Sequence, residues 1–374
     1  MRAAIASVWA VIASVFFIQI ANGLQTDILS LRASAEFSVA VMGTVMAAYY
    51  VGYSAAPLLS RRIIGGIGQV SVIVAGSLLA AVAVVAHAYD VTPLSWGILR
   101  VVSGFVLASS YVALESWLHA RVENRIRGRV FSVYMVAQMA AMTAAQGLLA
   151  LGDPRDSGLF WLCAAIFALG AIPVFIARER APHRAPPEPF GILKLLALSP
   201  MGAITTALSG VAWSIVFTFG PAYAQQSGFD VKGVSLFMGG AMIAAAVSQY
   251  PLGWISDHMG RRAAILMMCA GGAVASLIGW WADGEGLVFK LIGSAALGAT
   301  TFPLYSVTVA HTNDHVAPEA RVPAAGGLVL LFGLGSIVGP LVSGFIVRAN
   351  GSTGYFAVLL ATMLATLAVA AATR

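Results

Sequence analysis

Long apolar runs, each about one bilayer crossing in length, alternate with short polar breaks along the whole chain. The runs cover residues 4–24, 35–59, 68–88, 94–117, 129–151, 158–177, 198–224, 233–255, 263–282, 287–311, 322–347 and 354–373. A helix needs about 20 apolar residues to cross the hydrocarbon of a membrane. The runs are too long for barrel strands of about 10 residues and lack their alternation. Helices also satisfy their own backbone hydrogen bonds, which a lipid environment demands. The pattern therefore predicts an all-α membrane protein of twelve transmembrane helices. The longest polar break, Arg178–Lys194, contains Pro182, Pro186, Pro187 and Pro189, so it cannot be helical throughout. It divides the chain into a six-helix bundle over 1–178, a linker over 179–197 and a second six-helix bundle over 198–374.

Composition agrees with the pattern. Hydrophobic residues make up 59% of the chain and charged residues 10%, against about 25% charged in a soluble domain. The distribution of Lys and Arg sets an orientation. With the N-terminus in the cytoplasm, 15 basic residues fall inside (Arg2, Arg61, Arg62, Arg121, Arg125, Arg127, Arg129, Arg178, Arg180, Arg184, Lys194, Arg261, Arg262, Arg321, Arg374). Only 4 fall outside: Arg32, Arg155, Lys232 and Arg348. The positive-inside rule then places both termini in the cytoplasm and the protein in the plasma membrane, the bacterial inner membrane. The same bias accounts for the net charge of +6 without nucleic-acid binding. Arg2 followed by an apolar run to Ile20 mimics a signal peptide, but eleven further spans argue for an uncleaved first helix. Cys163 and Cys269 both lie inside spans, away from any His/Cys cluster at metal spacing, and are expected to pack. No metal or other cofactor is expected.

The halves share a faint repeat. An offset of 194 places Pro57 on Pro251 and Gly66 on Gly260; an offset of 192 places His119 on His311, Arg129 on Arg321 and Gly147 on Gly339. Pseudo-symmetric six-helix repeats are a transporter architecture.

Three motifs sharpen this. Gly253-Trp-Ile-Ser-Asp257-His-Met-Gly260-Arg261-Arg262 lies between spans 8 and 9. Gly253 and Gly260 permit a tight turn, and Arg261 and Arg262 suit the headgroup level. The segment resembles the G-x-x-x-D-x-x-G-R-R/K loop of the major facilitator superfamily, a resemblance that implies a conformational latch. In the first half Ile63 stands where the acid is expected, so the latch would rest on the second half. Arg100-Val-Val-Ser-Gly104 in span 4 is similar to the R-x-x-Q-G motif of that family, with Ser103 in place of Gln. The resemblance links this Arg to proton coupling or to anionic groups. An Arg this deep should face a partner or a water-filled cavity. Gly335-x-x-x-Gly339-Pro340-x-x-x-Gly344 in span 11 suits close helix packing. The Gly-Pro signature of drug–proton antiporters is missing from span 5, its diagnostic place. Glu115-Ser-Trp117-Leu-His119-Ala-Arg121 and the stretch from Leu304-Tyr305 to Arg321 resemble a compact bacterial subgroup of the same superfamily, mostly without assigned substrates.

Transporters of this architecture bind substrate near the bilayer midplane. Candidate substrate-binding residues are Gln19, Asn22 and Thr26 on one face of span 1, Arg100 in span 4, and Gln138 and Gln146 in a span 5 stripe with Tyr134 and Met142. Trp213 and Phe217 in span 7, and Thr301 and Tyr305 with Thr308 in span 10, complete the set. Each polar side chain can instead bond a neighbouring helix. Arg100 and Glu115 are the proton-coupling candidates. A gate salt bridge from Glu115 to Arg121 or Arg125 is the competing reading, favoured by the nearby arginines. Lys290 lies near the outer end of span 10 with Asp283 and Glu285 close by. Asp27 is read as the outer end of span 1, which leaves no carboxylate mid-span and favours a neutral or anionic solute.

The expected function is secondary active transport of a small solute by alternating access, driven by a gradient rather than by ATP, since no P-loop occurs; the family resemblance implies proton coupling. A facilitative uniporter, or a sensor or assembly factor retaining the fold, is the alternative. An enzyme is disfavoured, because no metal cluster, nucleophile elbow or catalytic acid pair appears in the spans. The partners are the solute, protons and the lipid bilayer, and the protein is expected to be a monomer.

Overall fold

The computed structural model describes residues 2–122, 127–178, 190–317 and 320–373. The prolines of the predicted linker and Arg125 lie outside these residues. Twelve helices run in order: α1 (Arg2–Glu36), α2 (Val39–Tyr89), α3 (Pro93–Arg121), α4 (Arg127–Leu149), α5 (Ser157–Ile176), α6 (Ile192–Leu198), α7 (Pro200–Gln226), α8 (Val231–Met259), α9 (Arg261–Ala282), α10 (Leu287–Asp314), α11 (Arg321–Asn350) and α12 (Gly354–Ala372). Ten of them are long and apolar enough to cross a membrane. One of these, α2, has 51 residues. That length amounts to about 76 Å of helix, enough for two crossings. Gly68, with φ 82° and ψ 160°, separates its two halves. The 23-residue α4 is more polar, carrying Gln138 and Gln146. Counting α2 twice and adding α4 gives the twelve crossings of the hydropathy pattern, while α6, seven residues long, is too short to cross.

Two expectations are corrected. The first span does not stop at residue 24: α1 continues to Glu36. Thr26, Asp27, Ser30 and Arg32 lower the hydropathy there, but Leu24, Ile28, Leu29 and Leu31 continue the buried face, and no Gly or Pro interrupts it. Asp27 is consequently a fully buried residue within a membrane helix rather than its outer end. The second correction concerns the repeat. Gly68 and Gly260 share one unusual backbone conformation, φ 82° and φ 95° with ψ 160° and ψ 148°, which side-chain-bearing residues rarely adopt. The turn glycine matching Gly260 is therefore Gly68, at the 192 offset, and not Gly66. At that register Asp257 matches Gly65, so the first half lacks the acid here as well.

The chain forms two compact units, Met1–Leu29 with Val51–Glu188, and Ser30–Tyr50 with Pro189–Arg374. In both, small residues let helix backbones approach, the usual device where lipid offers no hydrophobic contrast. In the first unit, a Cβ on Gly52 would collide with the Val101 carbonyl of α3. In the second, Cβ atoms on Gly335 and Gly339 would collide with the Ala207 carbonyl and the Ser214 hydroxyl of α7. The span 11 glycine motif is thus a packing seam. Buried hydroxyls are accommodated by bonds to their own helix, as in Ser60 to Ala56 O (2.6 Å), Thr205 to Met201 O (2.7 Å) and Thr366 to Thr362 O (2.7 Å). Start signals act locally. Thr92 Oγ1 accepts from Ser95 N ahead of Pro93, and Asp230 Oδ1 accepts from Gly233 N at 2.8 Å.

Candidate functional site

The first unit gathers polar side chains inside an otherwise apolar bundle. Gln19 on α1 is buried, and its Oε1 accepts from Tyr111 Oη of α3 at 2.6 Å. One turn further along α3, Glu115 Oε1 accepts from Tyr134 Oη of α4 at 3.5 Å. Tyr134 is fully buried and within electrostatic reach of Tyr111 and of Tyr53 on α2. Four helices therefore meet around one carboxylate, one amide and three phenols. Among the described residues Glu115 makes no ion pair, so the predicted gate salt bridge is not formed with Arg121; Arg125 lies outside them.

A second polar contact lies further along α1. Gln146 Nε2 of α4 donates to Asp27 Oδ2 at 2.7 Å, both side chains being buried. Asp27 Oδ1 is buried without a hydrogen-bond partner among the described residues. The local sequence explains the contact. Gly23 lies one turn before Asp27, and a Cβ on it would stand 3.0 Å from Ala145 Cβ, so α1 and α4 touch just where Gln146 can reach across. Nearer the start of α1 lies an apolar groove of about 460 Å³ lined by Trp9, Ile12, Ala13, Phe16, Phe17, Val133 and Ala137. Asp27 is the residue that sequence reasoning missed, because the span was ended at residue 24 while α1 continues to Glu36. It removes the premise that no carboxylate lies mid-span.

The remaining candidates of this unit separate. Thr26 donates to its own helix, to Asn22 O at 2.8 Å, while Asn22 Oδ1 is buried with no hydrogen-bond partner. Gln138 is half-buried, its amide 3.9 Å from Met135 Sδ. Arg100 is buried at 1% exposure, one turn beyond Trp96. Its charge is within electrostatic reach of His87, whose carbonyl accepts from Trp96 Nε1 at 3.2 Å. Fifteen residues of α3, roughly 22 Å of rise, separate Arg100 from Glu115, so the two proton-coupling candidates do not share one site.

In the second unit, aromatic side chains cluster. Trp213 of α7 has ring centroids 5.3 Å from Phe217, 4.6 Å from Phe302 of α10 and 5.9 Å from Phe332 of α11. Phe332 also lies 4.9 Å from Tyr305. Thr301 is buried and its hydroxyl has no hydrogen-bond partner among the described residues. Thr308, a turn beyond Tyr305, donates to the Tyr305 carbonyl at 2.8 Å and accepts from Thr206 at 3.2 Å. Phe302 and Phe332 were not singled out in the sequence, since periodicity gives the face of a residue and not the helix opposite it. Lys290 Nζ is buried against the Ser227 carbonyl at 3.4 Å, and Asp283 accepts from Tyr223 Oη at 2.9 Å.

The latch residues meet where α8 turns into α9. Gly260 makes the turn, and Gly253 lies on α8 two turns earlier. Arg261, the first residue of α9, pairs with Asp257 and donates from Nη1 to Ser256 Oγ (3.0 Å) and from Nε to Asp314 Oδ2 at the end of α10 (3.1 Å). Arg262 donates to the last carbonyls of α12, Ala370 O at 2.8 Å and Ala371 O at 2.6 Å. Two consecutive arginines thus tie the ends of four helices.

Comparison with known proteins agrees with this architecture. The family model described as Major Facilitator Superfamily matches residues 3–289 and 202–374. An uncharacterized MFS-type transporter of Enterobacter sp. (strain 638) is 25% identical over 334 residues, covering 86% of this chain and 83% of the relative. The uncharacterized MFS-type transporter YfkF of Bacillus subtilis (strain 168) is 23% identical over 336 residues, covering 85% and 83%. Among solved structures, the nucleoside transporter NupG matches with TM-score 0.76 at 17% identity over 98% of both chains. A bacterial homolog of the human lysosomal transporter Spinster, in an inward-facing and occupied conformation, matches with TM-score 0.73 at 14% identity over 97% of this chain and 94% of that one. At these identities the structural likenesses establish the fold alone. The sequence match spans nearly the whole chain, and with it the chain belongs to the Major Facilitator Superfamily, as a multi-pass membrane transporter rather than an enzyme.

Proposed function

We propose that the protein is a proton-coupled secondary transporter that moves a small solute across the bacterial inner membrane by alternating access, acting as a monomer with both termini in the cytoplasm. The observation that carries this reading is the pair of carboxylates inside the first unit, Glu115 against Tyr134 and Asp27 against Gln146, neither paired with a basic side chain among the described residues. A carboxylate in a membrane interior is costly to maintain and functional by default. Gln19, Asn22, Gln138 and Gln146 are the candidate neutral contacts within the first unit, and Trp213, Phe217, Thr301 and Tyr305 those within the second; Thr26 contributes little, its hydroxyl being bonded within α1. Arg100 sets the electrostatics of the first unit. The buried Asp27 removes the earlier ground for an anionic solute, and an uncharged one is favoured by the absence of charge from all of α7. Proteoliposome uptake under an imposed pH gradient tests the reading: uptake that ignores the gradient would reduce it to facilitated diffusion.

The orientation makes a direct prediction. In whole cells, cysteines replacing Ser157 and Ser352 should react with a membrane-impermeant thiol reagent, and a cysteine replacing His258 should not. The opposite pattern would reverse the topology.

The α8–α9 turn makes another. The Asp257 and Arg261 side chains are 61% and 28% exposed, so the pair is worth less than a buried one, about 0.5 kcal/mol. Asp257→Asn should leave the melting temperature nearly unchanged. It should still alter the balance of inward- and outward-open states about twofold in spin-label distance distributions, the equivalent of that energy. Distributions identical to those of the parent protein would end the latch reading.

A further inference from the structure

The aromatic cluster of the second unit has features that core packing leaves unexplained. Phe217 and Phe302 are buried, at 4% and 2% exposure, and form a floor. Trp213, Tyr305 and Phe332 stand around it half-buried, so part of each ring is open. The open side of Phe332 is not the lipid side of the bundle. The lipid-facing stripe of α11 consists of Leu334, Val338, Val342 and Phe345, exposed at 39%, 49%, 40% and 67%. Phe332 is two residues from Leu334, which turns it by about 200° around the helix and away from that stripe. Two polar groups at the cluster also lack hydrogen-bond partners among the described residues. The Thr301 hydroxyl, on a side chain 1% exposed, has none among the described residues, whereas the Thr308 hydroxyl two turns along the same helix bonds back to the Tyr305 carbonyl. The Trp213 indole N–H makes no hydrogen bond among the described residues, whereas that of Trp96 donates to His87 O. Charge is absent: α7 has no Lys, Arg, Asp or Glu, α10 has none between Lys290 and Asp314, and α11 none between Arg321 and Arg348.

We propose that this cluster is the specificity-determining surface of the solute site, and that it takes a flat, uncharged ring bearing hydrogen-bonding groups. The ring lies against Trp213, Tyr305 and Phe332, where aromatic contact adds to simple burial. The indole N–H of Trp213 donates to an acceptor on the ring, and the Thr301 hydroxyl donates or accepts. A saturated ring of the same size buries similar area but cannot stack; a charged ring would enter a setting with no counter-charge. This assignment rests on the transport reading above and names its substrate class.

The test is binding to purified protein in nanodiscs, read by saturation-transfer NMR, with two matched pairs of uncharged probes: benzamide against cyclohexanecarboxamide, and phthalimide against hexahydrophthalimide. The flat member of each pair should bind about three- to tenfold more tightly, the range expected of one aromatic contact. Trp213→Phe, which keeps a ring and loses the N–H, should weaken the flat probes severalfold, and Thr301→Val likewise. Trp213→Ala should abolish the preference for flatness; melting temperatures identify the variants that remain folded, and Trp213→Leu, which keeps bulk but has no ring, serves where the alanine variant does not. Equal binding within both pairs, no binding of any probe, or an undiminished preference in folded Trp213→Ala or Trp213→Leu protein would overturn the assignment. Uptake of some solute by proteoliposomes together with equal binding of the pairs would refute the ring surface and keep the transporter. A Trp213-dependent ring preference without uptake of any solute would do the reverse.

Discussion

Replacing Arg100 by Gln is expected to reduce solute uptake at least about tenfold per folded molecule, with Arg100→Lys falling between Gln and the parent. The side chain is buried at 1% exposure inside a membrane helix, beside the His87–Trp96 contact. Lys keeps the charge but loses the planar fork, and Gln loses both. Contacts to a buried charge are worth roughly 1.5–3 kcal/mol, which corresponds to a tenfold or greater change. Uptake by proteoliposomes, normalised to monodisperse protein, measures this. If Arg100 only holds α2 to α3, Gln should lower the melting temperature while the surviving protein transports normally. A stable and fully active Arg100→Gln protein would sink both roles and leave Gln19 and Asn22 as the polar contacts of the first unit.

The largest structural effect is expected at the α7–α11 seam. A Cβ on Gly335 would overlap the Ala207 carbonyl, a backbone atom that no side-chain rotation can move aside. Overpacking commonly costs about 1–3 kcal/mol, and contact with backbone puts this site at the upper end or beyond. Gly335→Ala should lower the melting temperature of detergent-purified protein by several degrees, and Gly335→Leu should prevent recovery of folded protein. Gly253, where an added Cβ would meet open space, is the control and should tolerate Ala without loss of stability, Ala being the better helix former. Equal behaviour at the two positions would show that the seam is not close-packed.

Much of this architecture is legible from the hydrophobic pattern because lipid imposes one rule on every crossing: about 20 apolar residues, helical throughout. The Gly-x-x-x-Asp turn was legible for a similar reason, since Gly260 needs a conformation that other residues avoid. What escaped the pattern are features that depend on neighbours. Thr26, Asp27, Ser30 and Arg32 read as a loop because hydropathy counts residues without knowing what covers them. In the fold Asp27 is covered by Gln146, and Ser30 donates to the Thr218 carbonyl at 2.6 Å. Gly66 and Gly68 are equivalent as letters, and only backbone angles identify Gly68 as the turn. The stripe of Gln19, Asn22 and Thr26 was correctly placed on one helix, yet its members differ in use: Gln19 bonds Tyr111, and Thr26 bonds its own backbone. Likewise Trp213 and Tyr305 were named separately, and Phe302 and Phe332, which join them, could not be chosen among 18 phenylalanines without the packing.

The most direct test of the central claim is accumulation by proteoliposomes. Vesicles carrying the protein, with an imposed pH gradient, are incubated with a defined mixture of uncharged metabolites, and their contents are measured by mass spectrometry against protein-free vesicles. The account predicts that at least one solute accumulates above its external concentration only when protein and gradient are both present, that a protonophore abolishes the accumulation, and that Arg100→Gln protein fails to produce it. Vesicle contents that match the protein-free control for every solute, with folded protein inserted in both orientations, would contradict it.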